Sequence, residues 1–174
     1  MRVIAGEFRS RRLKSLPGLN TRPTPDRLRE TLFNVLAPRL ADCVFLDVYA
    51  GTGAVGIEAL SRGARRAIYI EKNRAAVEVI RENLAALGLE SRAEVFSSKA
   101  TTVLERVRAD IAFLDPPYDM PREYETAMGA LGQSETPLVI LQHSSHFAPE
   151  EAYGNLRRYR EIKQSDNCLS FYER

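Results

Sequence analysis

Val44-Phe45-Leu46-Asp47-Val48-Tyr49-Ala50-Gly51-Thr52-Gly53-Ala54-Val55-Gly56 decides the fold. A short apolar run enters a glycine-rich turn, and helix-forming residues follow as far as Arg62. That is the strand–turn–helix joint of an α/β sheet. The glycines allow a tight turn and a close approach of a ligand to the backbone. Gly51, Gly53 and Gly56 also satisfy G-x-G-x-x-G, and Glu71 follows Gly51 by twenty residues. A dinucleotide site must therefore be weighed. Asp47 argues against it, because a carboxylate at the strand end would face a pyrophosphate. A cofactor with an ammonium and a sulfonium and no phosphate, S-adenosylmethionine, suits that carboxylate.

The same alternation continues outward. Ala67–Glu71 reads as a second strand, Asn73–Leu87 as a helix closed by Gly88, and Ala93–Phe96 as a third strand. Thr101–Val107 reads as a short helix, Asp110–Leu114 as the fourth strand, Pro121–Leu131 as a helix, and Pro137–Leu141 as the fifth strand. Leu156–Ile162 and Cys168–Tyr172 alternate around Gln164-Ser165-Asp166-Asn167, the signature of an antiparallel hairpin. Upstream, Met1–Leu16 reads as a short, irregular, arginine-rich β-hairpin. Thr24-Pro25-Asp26 then opens a helix with Thr24 as N-cap, a stripe of Leu28, Leu32, Val35 and Leu36, and Pro38 as its end. The expected fold is α/β: a mostly parallel seven-stranded sheet with helices on both faces, an antiparallel C-terminal hairpin and a small basic N-terminal hairpin. Residues 1–174 form one domain, with 1–20 as its extension.

Composition sets the limits. The 174 residues are 44% hydrophobic and 28% charged, ordinary for a soluble globular chain. No apolar run is long enough for a membrane span, and the start lacks a signal-peptide core. Cys43 and Cys168 are too few for a disulfide framework, and a reducing, cytoplasmic setting is the natural reading. The net charge of +2 is unevenly spread. Residues 1–39 carry nine Lys/Arg against three acids, leaving sixteen bases and twenty acids in the remainder. That polarity fits a basic arm that meets nucleic acid, and equally a solvated basic hairpin.

The second decisive stretch is Asp115-Pro116-Pro117-Tyr118, at the end of Ile111-Ala112-Phe113-Leu114. The prolines have no N–H and keep the chain extended, with carbonyls exposed and unpaired. A carboxylate, a free carbonyl and an aromatic ring in a row suit a planar base bearing an exocyclic amine. Asp115 and the Pro116 carbonyl accept the two amine hydrogens, and Tyr118 stacks on the ring. The motif offers hydride transfer no acid, base or electrophile, and no separate substrate domain follows; both facts weigh further against NAD. Glu71 can chelate two ribose hydroxyls. Lys72 lies over the adenine or is simply solvated, and Ser98 and Lys99 can meet the adenine edge.

These blocks resemble a known family, the bacterial 16S rRNA (guanine(966)-N2)-methyltransferases. The resemblance covers nearly the whole chain. Val3-Ile4-Ala5-Gly6 resembles the family's start, and Arg22-Pro23-Thr24-Pro25-Asp26-Arg27-Leu28-Arg29-Glu30-Thr31-Leu32-Phe33-Asn34 its most distinctive block. Asp47–Gly56, continued through Glu58–Ala64, resembles the cofactor loop and helix, and Asp115–Tyr118 the catalytic motif. The resemblance implies a Rossmann-like class I fold that methylates a guanine N2 amine in 16S rRNA of a partly assembled small ribosomal subunit. On it, Asp115, Pro116, Pro117 and Tyr118 are catalytic. Asp47, Tyr49, Ala50, Gly51, Thr52, Gly53, Gly56, Glu71, Lys72, Ser98 and Lys99 bind S-adenosylmethionine. The chain departs from the pattern at Lys99, where Asp or Asn often meets the adenine amine, and at Tyr49, more often Phe. The segment between the fifth strand and the hairpin is also short.

Arg9, Arg11, Arg12 and Lys14 would grip RNA phosphates. Arg22 and Thr24 lie near the pocket, or Thr24 is only a cap. His143 and His146 lack a carboxylate or cysteine to complete a metal set, and no metal is expected. Cys43, Tyr159, Phe171 and Tyr172 read as core. Nothing demands a dimer, and a monomer is expected. Three other functions remain: an amino-methyltransferase of DNA or of another RNA, an NAD-linked reductase, and an RNA-binding assembly factor without activity.

Overall fold

The computed structural model describes residues 1–18 and 24–174. Its elements run α1 (Asp26–Leu40), β1 (Val44–Val48), α2 (Ala54–Ser61), β2 (Arg66–Glu71), α3 (Arg74–Ala86) and, after a 3-10 turn, β3 (Ala93–Ser97). They continue with α4 (Ala100–Val103), β4 (Ile111–Leu114), α5 (Pro121–Gln133), β5 (Leu138–Ser144), β6 (Ala152–Tyr153), β7 (Leu156–Gln164) and β8 (Asn167–Glu173). The strands form one sheet in the order β3-β2-β1-β4-β5-β8-β7-β6. The first five are parallel, and β8, β7 and β6 run antiparallel.

The strand order reverses between β1 and β4. Successive units wind outward to either side of this pair, so a crevice opens beyond its carboxyl ends. Asp47 is level with Phe113 and Val48 with Leu114. The glycine turn after β1 and the Asp115–Tyr118 loop after β4 therefore leave the sheet side by side.

Alternation along each strand sorts the core into two layers. Phe45, Tyr69, Phe113, Ile140 and Phe171 pack under α1, α2 and α3 with Leu32, Phe33, Ile57 and Ile80. Leu46, Val48, Ile68, Leu114, Val139 and Tyr172 pack under α4 and α5 with Val103, Tyr124 and Met128. Burying both faces is what turns the central strands into continuous apolar runs.

Several local expectations give way to tertiary contacts. The sheet has eight strands, not seven, because Ala152–Tyr153 in the short segment before β7 pairs with Leu156 and Arg157. Pro25, not Thr24, is the N-cap of α1, and no side chain caps it. Pro38 lies inside α1, which continues to Leu40. The short helix spans Ala100–Val103 only. The N-terminal arm is a short, irregular hairpin as expected, with an antiparallel bridge at Arg2–Arg12 and bonds from the Val3 N–H to the Arg11 carbonyl and from the Leu13 N–H to the Met1 carbonyl. It is fixed to the body by long-range bonds: the Ile4 and Ala5 N–H groups donate to Glu58, and Val3 and Leu13 are buried. Tyr159 is 47% exposed rather than core, at a register shift in β7. No helix among the described residues is long and apolar enough to cross a membrane.

Candidate active site

A cavity of about 920 Å³ opens at the switch between β1 and β4. Its walls include Asp47, Tyr49, Ala50, Gly51 and Thr52 from the first strand and turn, and Glu71 and Lys72 from the end of β2. Ser98 and Lys99 after β3 and Asp115, Pro116, Pro117 and Tyr118 after β4 complete that side. Met1, Ser15, Leu16, Thr24 and Arg29 bring the N-terminal arm and the start of α1 to the same space. This volume suits one small-molecule cofactor plus part of a substrate.

The glycine turn is closed by its own hydrogen bonds. The Gly51 N–H donates to Glu71 Oε2 (2.9 Å), the Gly53 N–H to the Ala50 carbonyl (2.8 Å) and the Gly56 N–H to Asp47 Oδ2 (2.9 Å). Gly53 starts α2 with φ +80°, a conformation that glycine alone adopts freely. Gly56 does not line the cavity. A Cβ there would stand 2.3 Å from the Tyr69 ring, so this glycine serves helix-to-sheet packing. Gly53 and Gly56 shape the turn, and Gly51 borders the space a ligand would fill.

A pyrophosphate at such a turn is normally held by free backbone N–H groups at the helix start. Here the N–H groups of all three glycines already have partners within the chain. Acids dominate the wall that remains. The Asp47 carboxyl is raised well above the ordinary carboxylate range by burial, with a further push from Asp115 and Glu71, against which the Gly56 N–H works. Burial pushes the Asp115 carboxyl up to about 7. Two neighbouring acids that resist ionisation are relieved by a cation between them. The donor set thus fits a cationic, phosphate-free cofactor, and S-adenosylmethionine meets that requirement. Glu71 is held by a second bond, its Oε1 accepting the Asn73 N–H at 2.8 Å, while Asn73 itself caps α3. Its carboxylate is thereby fixed in direction at the cavity wall.

The loop after β4 is held from further away. The Tyr124 hydroxyl of α5 donates to the Pro116 carbonyl at 3.2 Å. That carbonyl is therefore not unpaired, as its sequence context suggests, although one lone pair remains. The Tyr118 hydroxyl donates to Asn167 Oδ1 of β8 (2.9 Å) and accepts a long contact from Gln142 Nε2 of β5 (3.5 Å). Gln142 Oε1 in turn accepts from the Thr24 hydroxyl at 3.3 Å. Tyr118 keeps 38% of its surface exposed, enough to offer a ring face. Across the cavity, the Tyr49 hydroxyl donates to Glu123 Oε2 at 2.8 Å, joining the cofactor turn to α5. Burial first, and Glu123 second, raise the Tyr49 phenol, so it stays protonated as the donor.

Tyr124, Asn167, Gln142 and Glu123 were not picked out from the sequence, nor was Arg29. Arg29 is buried and donates to the Arg2 carbonyl (2.6 Å) and to Asp26 (3.1 Å), fastening the arm to α1. Of the basic arm, Arg11 is bound to the Ala86 carbonyl and Lys14 to Glu82, whereas Arg9 and Arg12 are exposed. Arg22 lies outside the described residues. His143 is enclosed between the Ser144 carbonyl and the Ser170 hydroxyl, and burial lowers its pKa.

A family model described as conserved hypothetical protein 95 matches residues 1–173. The chain belongs to that family. YlbH of Bacillus subtilis is 38% identical over 183 residues, covering 100% of this chain and 99% of that protein. Ribosomal RNA small subunit methyltransferase D of Escherichia coli is 44% identical over 120 residues, which are 68% of this chain and 60% of that enzyme. The match with that relative thus spans less than two thirds of its length. Among solved structures, yhhF of Escherichia coli superposes with a TM-score of 0.88 at 35% identity, over 100% of this chain and 97% of that one. An RNA methyltransferase from Salinibacter ruber, solved in complex with S-adenosyl-L-homocysteine, shares the fold with a TM-score of 0.67 at 16% identity, over 87% and 92% of the two chains. The fold of this member of the family is the Rossmann-like fold of methyltransferases.

Proposed function

We propose that this protein transfers a methyl group from S-adenosylmethionine to the exocyclic N2 amine of a guanine in 16S rRNA of a partly assembled small ribosomal subunit. The observation that carries the reading is the juxtaposition of Asp115 and the Pro116 carbonyl with an acid-lined cavity beside a turn whose three glycine N–H groups are already engaged within the chain. The name of the Escherichia coli relative supports the substrate class. We read the chain as one domain that works as a cytoplasmic monomer without a metal.

S-adenosylmethionine supplies an electrophilic methyl group on a sulfonium. Glu71 would take the ribose hydroxyls, and Asp47, Tyr49, Ala50, Gly51 and Thr52 would surround the methionine portion. Ser98, with Lys72 or Lys99, would border the adenine. The guanine must leave any stack to bring its amine into the cavity, so the target is an unpaired or flipped base. Tyr118 offers its exposed face to that base. Asp115 accepts one amine N–H, and the remaining lone pair of the Pro116 carbonyl accepts the other. The Tyr124 hydroxyl fixes that carbonyl in direction, so the pair of acceptors is set before the base arrives. The amine lone pair then points at the methyl carbon. Positive charge developing on the attacking amine nitrogen would be stabilised by the Asp115 carboxylate, which would then take the proton from the methylated amine and pass it to solvent. Orientation supplies much of the remaining rate.

The test is transfer from labelled S-adenosylmethionine to small subunits lacking the modification, followed by mass mapping of the nucleosides. Label recovered as N2-methylguanine at one position, and none with Asp115→Ala, is the expected result. Label on adenine, cytosine or DNA would replace the substrate assignment. An NAD-linked activity would overturn the reading.

A further inference from the structure

Beside the active-site cavity lies a second, smaller groove of about 490 Å³. Pro25 and Arg27 at the start of α1 form one wall, and Lys163, Gln164, Ser165 and Asn167 of the β7–β8 turn form the other. Among the described residues, no carboxylate lines it. Arg27 and Lys163 are exposed, and neither enters a salt bridge among the described residues. Of the acids nearest in sequence, Glu30 is exposed and is not part of the lining. Asp26 pairs with Arg29 and Arg2, Glu161 with Arg158, and Asp166 is not part of the lining. The two walls are tied together by Gln164 Nε2, which donates to Thr31 Oγ1 at 2.6 Å.

The groove shares one residue with the catalytic loop. Asn167 lines it and also accepts the Tyr118 hydroxyl. A base stacked on Tyr118 leaves its flanking nucleotides at the rim of the cavity, and Asn167 stands between that rim and the groove. Arg9 and Arg12 of the N-terminal arm are likewise exposed and outside any salt bridge among the described residues, but they do not line the groove. Lys14 is paired with Glu82, Arg158 with Glu151 and Glu161, and Arg11 and Arg157 bind carbonyls. Cations left without carboxylate partners in a groove next to a base-stacking ring have the chemistry of a phosphodiester track.

We infer that this groove holds the RNA strand flanking the target base, with Arg27 and Lys163 on its phosphates and Asn167 linking the track to Tyr118. The inference rests on the proposed action on RNA and adds where the strand runs. It is tested by the affinity of the whole protein for small subunits lacking the modification, measured across a salt series. Arg27→Gln and Lys163→Gln should each weaken binding about 3-fold, and together about 10-fold. The log–log salt slope should fall by roughly 0.7 for each single-strand contact removed. Arg65→Gln, before β2 at the opposite end of the sheet, is the control for net charge. S-adenosylmethionine affinity and Tm should stay unchanged in all four variants.

A double variant that binds within 2-fold of the wild type with an unchanged slope overturns the groove. So does an equal loss in Arg65→Gln. Binding is read apart from turnover. Groove-dependent RNA binding without methyl transfer to any RNA would therefore sink the proposed reaction and leave the track, whereas no RNA binding by the wild type would overturn both.

Discussion

The two halves of the site are stabilised in opposite ways. The glycine turn after β1 is closed by near neighbours: Gly56 N–H on Asp47, Gly53 N–H on Ala50, and Gly51 N–H on Glu71 of the adjacent strand. The Asp115–Tyr118 loop after β4 has two prolines and few N–H groups of its own. It is held from elsewhere, by Tyr124 of α5, Asn167 of β8 and Gln142 of β5. On the proposed function the first half would be the cofactor's seat, fixed by local bonds, and the second the base-receiving loop, whose position depends on α5, β5 and β8.

The contrast is sharpest in pH. Asp115 must be ionised to accept the amine, and burial raises its carboxyl to about 7 in the free protein. The ionised fraction, and with it kcat/KM, should fall about tenfold per unit below that value, reaching about 100-fold at pH 5. A flat profile of kcat/KM from pH 5 to 8 would remove Asp115 from its role. Raised carboxyls also disfavour the fold as they ionise, so Asp115→Asn should raise Tm at pH 8 and leave it unchanged at pH 4.

Breaking the cofactor half should act on binding alone. Glu71→Ala removes the ribose acceptor and leaves the Gly51 N–H unpartnered. S-adenosylmethionine affinity should fall about 30-fold, roughly 2 kcal/mol, with the transfer rate at saturation nearly intact. Equilibrium titration and single-turnover kinetics separate the two. Gly56→Ala drives a methyl group into the buried Tyr69 ring. It should cost about 2 kcal/mol of stability, read as a fall in thermal midpoint of several degrees.

Breaking the tethers of the catalytic half should act on rate, more gently. Tyr118→Phe keeps the stacking face and removes the bond to Asn167. The turnover number should fall about 5-fold with KM for S-adenosylmethionine unchanged. Tyr124→Phe, which frees the Pro116 carbonyl to turn, should cost about 3-fold in the same measurement. Losses confined to cofactor KM in either variant would contradict the division of labour.

That division also explains what the sequence disclosed. The glycine turn is legible because its reasons lie within a few residues and one neighbouring strand. Asp47, Gly51 and Glu71 stand at recognisable spacings. That these strands are parallel follows from the same strand–helix alternation, but their order does not. The Asp115–Tyr118 loop is legible as a motif, but its supports are not. Tyr124 reads only as part of a helix and Asn167 as a turn residue, Gln142 falls just past the expected fifth strand, and only the folded sheet brings them together. Thr24 illustrates the limit. Its position before a helix predicts a cap, yet its hydroxyl reaches Gln142, 118 residues away. Pro38 reads as a stop, yet tertiary packing of Leu36 and Leu40 carries α1 past it.

One measurement tests the central claim most directly: S-adenosylmethionine affinity and the single-turnover rate of methyl transfer to small subunits, determined on one preparation of Asp115→Asn. The account predicts affinity within about 3-fold of the wild type and a rate lower by about 10³. Transfer at the wild-type rate, or a loss of affinity that matches the loss of rate, would contradict a site built from a cofactor seat and a separate catalytic loop.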